Sequence, residues 1–136
     1  MLDPSLLDAY QQTNYYFGDT LLNVNEPSSE AASLLRPFAP AGGLFITAWN
    51  PLGEELTPEE NQKANQNLKE KLLKQDLNVT DGYGESKDGK WREDSFFAYP
   101  IDKESSIKLC CDFSQNAVVY VSSSVLPELL LNPDVS

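Results

Sequence analysis

Trp91-Arg92-Glu93-Asp94-Ser95 holds the residue types best suited to chemistry in this chain. In an extended segment Trp91, Glu93 and Ser95 share one face. A carboxyl beside an indole loses water, which raises its pKa and fits it for acid or base work. Glu93 is therefore the candidate catalytic residue, as a general acid/base. Its alternative is structural: an ion pair with Arg92 or Arg36, or a hydrogen bond to a backbone amide. A second feature is Gly43–Pro51, GLFITAWNP, an apolar run that stops on Trp-Asn-Pro and so puts a ring and an amide at a strand end. With Asn61 and Gln115 added, the candidate ligand-binding set is Trp49, Asn50, Asn61, Trp91, Glu93, Ser95 and Gln115. The amides offer hydrogen bonds, the indoles a stacking wall and Glu93 a charge. Asn61 extends the helical stripe Ala64, Leu68 and Leu72, so its amide needs a partner, either the loop at Asn50 or a ligand. Gln115 either caps a helix end or meets a ligand.

Composition narrows the chemistry. The chain has 136 residues, 40% of them hydrophobic, enough for a single core. It contains no His, which removes Ser-His-Asp and Cys-His mechanisms and the commonest metal ligand. The two Cys are adjacent, Cys110 and Cys111. On a helix neighbouring side chains diverge by about 100°, so this pair makes neither a standard disulfide nor a chelate. No metal and no cofactor is expected. The net charge of -11 argues against direct binding to nucleic acid or anionic lipid. The N-terminus has neither the basic region nor the apolar run of a signal peptide, and no stretch approaches the roughly 20 apolar residues of a membrane span. These features lead to the expectation of a soluble cytoplasmic protein.

The elements that must position the candidate residues follow from pattern. Asp3-Pro4-Ser5 starts a helix in which Leu7, Tyr10, Asn14 and Phe17 recur at helical spacing until Gly18. Thr20–Val24 reads as a short strand. Asn25–Ala41 reads as a loop, with one helical turn around Ser29–Leu35. Leu44–Trp49 is apolar on both faces, as a covered central strand is. Thr57-Pro58-Glu59-Glu60 carries the N-cap, Pro and capping-box signals of a helix running to Gln75. Leu77–Tyr83, Glu93–Ile101 and Ala117–Ser122 read as strands, and Lys103–Phe113 as a helix capped by Asp102.

From Leu44 onward the order is βαββαβ, the split βαβ, ferredoxin-like arrangement. The expected fold class is α+β: an antiparallel sheet of that order, preceded by an N-terminal helix that covers its open face. Residues 1–122 form one domain in this reading. Residues 123–136 form a tail whose LPELLL run packs as a helical turn or frays. The strand order also brings Trp49, Asn50, Asn61, Trp91, Glu93, Ser95 and Gln115 to one end of the sheet, although they are far apart in sequence.

Leu6–Tyr10 with Thr13 and Tyr15, Ile46–Pro51, Asn61, Trp91-x-Glu93-x-Ser95 and Phe113-x-Gln115-x-Ala117 together resemble the bacterial domain-of-unknown-function family numbered 3293. The resemblance implies a small bacterial cytosolic domain and supplies no activity. Three functions fit the residues. One is a module holding a small polar ligand at the sheet end. The second is a regulatory or inhibitory protein whose acidic surface meets a basic protein partner. The third is a His-free enzyme using Glu93.

Overall fold

The computed structural model describes residues 3–122 and 126–135. Helix α1 (Pro4–Gln12) opens on Asp3, whose carboxylate caps the Ser5 amide at 2.8 Å. Strands β1 (Asn14–Phe17) and β2 (Thr20–Leu22) form a hairpin. Helix α2 (Ser29–Leu35) follows, then β3 (Gly42–Ile46), α3 (Pro58–Lys74), β4 (Asn78–Glu85), β5 (Arg92–Ile101), α4 (Lys103–Asp112), β6 (Ala117–Val121) and β7 (Glu128–Leu131). The seven strands form one antiparallel sheet in the order β2-β1-β4-β5-β3-β6-β7. The fold is α+β.

Helices α3 and α4 cover one face of the sheet, with Leu68, Leu72 and Leu109 packed on Leu44, Phe96 and Tyr120. The start of α3 carries the full capping box between Thr57 and Glu60 that its sequence predicts. The opposite face, Phe45, Phe97, Val119 and Val121, is covered by Tyr15, Phe17 and Leu22 of the hairpin and by Ala31 and Leu35 of α2. That cover differs from expectation. The N-terminal helix stops at Gln12 and buries no residue completely. Asn14–Phe17 is a strand because Tyr15 and Phe17 alternate inward with Asn14 and Tyr16, and aromatic residues suit a pleated surface. The LPELLL run also departs from expectation. Residues 123–125, where the tail begins, lie outside the described residues, but Glu128–Leu131 pairs with β6 as an edge strand and buries Leu130.

The sheet curls strongly. Tyr15 of β1 and Phe45 of β3 sit three strand spacings apart in sheet order, roughly 14 Å if flat, yet their ring centroids are 5.1 Å apart. Gly82 in β4 permits this, because a Cβ there would run into the Tyr16 carbonyl of the folded-over β1. The Asn25 amide donates to the Pro127 carbonyl at 2.8 Å, which ties the far ends of the sheet together.

Gly43 allows an equally close approach. A Cβ there would enter the Phe97 ring, and that ring cannot retreat because it stacks on Phe17 at 3.9 Å. Gly43→Ala is expected to cost about 2–3 kcal/mol by overpacking, read from urea unfolding curves. An unchanged midpoint would show that Phe97 has room to move.

Candidate functional site

Strand β3 ends at Ile46, three residues before the expected boundary at Trp49, and Thr47–Asn50 leaves the sheet. Once off the ladder, its amides need other acceptors. Two asparagines of α3, one helical turn apart, supply them. Asn65 Oδ1 accepts from the Ala48 amide at 2.8 Å, and Asn61 Oδ1 accepts from the Asn50 amide at 2.8 Å. Between them the Trp49 amide donates to Thr47 Oγ1 at 3.0 Å. Asn65 Nδ2 and Thr47 Oγ1 both donate to the Asp94 carbonyl, at 2.8 and 2.7 Å, joining the segment to β5. Asn50 adopts the left-handed region, φ 43°, which Asn tolerates better than most residues.

This strapped segment forms one wall of a cavity of about 450 Å³ at the sheet's end. Leu6, Ala9 and Tyr10 of α1 form another wall, and Phe45, Glu93, Ser95 and Gln115 contribute from the sheet side. Six of the seven candidate ligand-binding residues line it: Trp49, Asn50, Trp91, Glu93, Ser95 and Gln115. Asn61 does not. It lies behind the wall, 2% exposed, with Nδ2 donating to Asn50 Oδ1 at 2.8 Å. Its geometry is that of the structural alternative, a tie between helix start and loop. Gln115 Nε2 donates to the Phe113 carbonyl at 3.2 Å and the Trp49 carbonyl at 3.4 Å, so it caps α4 and holds the TAWNP segment at once. Ser95 Oγ donates to the Glu93 carbonyl at 3.0 Å. Trp91 stands at the rim, 41% exposed.

Glu93 is the electrostatic centre. Burial alone pushes its carboxyl up from 4.5 to about 7. The expected arginine partners are elsewhere. The Arg92 guanidinium lies 3.8 Å from the centre of the Tyr83 ring and 3.8 Å from Asp94, on the opposite face of β5. Arg36 lies in the turn after α2 and does not line the cavity. Among the described residues Glu93 has no ion pair. In register, Glu93 pairs with Gly84, and Gly84 with Tyr15. Because Gly84 has no side chain, the carboxyl and the Tyr15 ring share the space above it. Tyr15 donates its hydroxyl to the Tyr10 carbonyl at 2.8 Å. Tyr10 and Asn116 both line the cavity beside it. Burial raises both phenols, and the Glu93 charge adds to each.

Tyr10, Tyr15, Gly84 and Asn116 are cavity residues that the candidate set lacks. Tyr15 reads as packing in sequence, and it does pack, at 6% exposure. Gly84 is visible only through register, since the expected strand ended at Tyr83. Asn116 had a sequence signal: a second amide beside Gln115 at a helix-to-strand turn.

A second, more open cleft of about 510 Å³ lies on the helix face, between α3 and the Tyr16–Tyr83 pair. It shares Trp49, Arg92 and Ser95 with the first. Among the described residues no group of three or more His, Cys, Asp or Glu side chains could hold a metal, and Cys110 and Cys111 are free thiols. No described helix is long and apolar enough to cross a membrane.

No curated protein and no solved structure matches the chain. Residues 46–118 match the model of a family described as a protein of unknown function (DUF3293). The matched span runs from the end of β3 to the start of β6. It contains Trp49, Asn50, Trp91, Glu93, Ser95, Gln115 and Asn116, while α1 and β1 supply the opposite wall from outside it. The match covers just over half of the chain, which belongs to the DUF3293 family.

Proposed function

We propose that this protein is a binding module that holds a small, partly polar ligand in the cavity between α1 and the sheet end. One observation carries the reading. A carboxyl with no ion-pair partner among the described residues faces a space of about 450 Å³ walled by aromatic side chains, within the usual size range of ligand pockets and with their mixture of apolar lining and few polar groups. Asn50 and Gln115 would add amide contacts, and Trp49 and Trp91 stacking surfaces. The strand order β4-β5-β3-β6 with α3 and α4 on one face supports reading the middle of the chain as a ferredoxin-like split βαβ unit, extended by β1–β2 and β7. The family resemblance and the acidic composition support a bacterial cytoplasmic setting.

The test is a thermal-shift screen against nucleotides, amino acids and common metabolites. A ligand present at one hundred times its Kd stabilises the fold by about 2.7 kcal/mol. Glu93→Gln and Asn50→Ala should weaken the shift. Gly84→Leu should abolish it: a Cβ at Gly84 stands 3.7 Å from Thr13 Cγ2 and the Tyr15 ring, an ordinary contact, so the fold accepts it while a longer side chain fills the cavity. A hit that shifts the Gly84→Leu variant as much as the parent would place binding elsewhere.

A second reading has its own support. A carboxyl titrating near 7 is present in both protonation states at neutral pH, as a general acid/base needs. If a hit is also turned over, Glu93→Gln should lower kcat by about 10²–10⁴-fold with little change in KM.

A further inference from the structure

We infer that the cavity's ligand is a small organic cation, an amine carried on an aromatic or branched apolar body, whose charge pairs with Glu93. The inference rests on the binding reading above and names the ligand's class. It follows from a census of what faces the carboxyl. From α1 comes Tyr10, a phenol without charge. From β1 comes Tyr15, whose hydroxyl is spent on the Tyr10 carbonyl. From β4 comes Gly84, with no side chain. From β5, Arg92 reaches the cavity's edge, but its guanidinium lies over the Tyr83 ring and beside Asp94, each at 3.8 Å. The cavity residues supplied by segment 47–53, by the 115–119 stretch and by β7 carry no charge.

Among the described residues the site therefore holds one negative group, and its one positive group, Arg92 at the edge, is turned to Tyr83 and Asp94. A buried carboxylate in that position gains most from a cation that arrives with the ligand. An anion would meet the Glu93 carboxylate, with no described cation turned toward it. The amides of Ala48, Trp49 and Asn50, which could otherwise form an anion nest, already have side-chain acceptors at 2.8, 3.0 and 2.8 Å. Trp49, Trp91, Phe45, Tyr10 and Tyr15 provide ring faces of the kind that bind ammonium groups. The net charge of -11 favours approach of cations.

The experiment compares tryptamine, tryptophol and indole-3-propionate, one indole body carrying a cationic, a neutral and an anionic group. Calorimetric titration at pH 8 should give tryptamine about tenfold or more over tryptophol, with no measurable binding of the propionate. Only the ionised carboxyl pairs with the amine, so this preference should shrink by about tenfold per pH unit below neutrality, while tryptophol affinity stays level. Glu93→Gln should erase the preference and keep tryptophol binding. Equal affinity of tryptamine and tryptophol, or binding of the propionate, overturns the cation class and leaves the pocket reading standing. Absence of binding by all three to the parent, with the Gly84→Leu variant as blank, overturns both.

Discussion

Glu93→Gln is expected to stabilise the protein at pH 8 by about 2–3 kcal/mol and to have almost no effect at pH 4. The sign follows from the raised carboxyl, 4.5 in the unfolded chain and about 7 in the fold. Below 4.5 both states hold the proton. Between 4.5 and 7 the unfolded chain releases it and the folded protein keeps it, so the parent loses stability as pH rises through that window. Above 7 the folded state carries a half-buried carboxylate and the deficit stays constant. The interval corresponds to about 3.5 kcal/mol at about 1.4 kcal/mol per pH unit, and partial exposure trims it. Gln keeps the shape and removes the titration. Urea unfolding of both proteins from pH 4 to pH 8 reads the difference directly. A difference that does not vary with pH would mean that Glu93 is as well solvated in the fold as in the unfolded chain. The gain would also mark a familiar trade, in which a functional site holds a group the fold alone would not choose.

Asn65→Ala is expected to lose about 3 kcal/mol. Asn65 is 5% exposed and is the acceptor for the Ala48 amide among the described residues. Without it a buried donor is left without a partner, at about 1–3 kcal/mol, and a hydrogen bond to the Asp94 carbonyl goes as well. That carbonyl keeps Thr47 Oγ1, so the loss falls mainly on the TAWNP segment. The measurable signature beyond a lower midpoint is fast hydrogen exchange at Ala48 and Trp49, with β3 still protected. Protection of Ala48 in the variant would show a replacement acceptor and remove the argument.

Helix α3 was legible in full because its signals are local: Thr57, Pro58 and Glu60 fix its start by short-range hydrogen bonds and sterics. The convergence of Trp49, Trp91, Glu93, Ser95 and Gln115 was legible because strand order sets which ends meet. What was not legible depends on register and curl. Asn14 and Phe17 satisfy a helical spacing as well as a strand alternation, and tertiary pairing with β4 decides between them. The place of Tyr15 opposite Glu93 exists only once β1 folds across two glycines. Asn65 went unread because a polar residue in a helix dotted with Asn and Gln does not announce itself as buried. Its role appears only when β3 ends short and leaves amides in need of acceptors.

The pairing of Tyr15 with Gly84 also has a consequence in time. The β1–β2 and β4–β5 ladders join neighbours in sequence and can close within microseconds. Joining β1 to β4 requires the whole middle of the chain to be gathered first, and such long closures slow folding. The wall opposite Glu93 therefore belongs to the late part of the folding reaction. Until it docks, the carboxyl stays in water and ionises like any surface glutamate. Refolding at neutral pH then ends with the uptake of a proton, so a pH indicator should follow the completion of this sheet more faithfully than its secondary structure does.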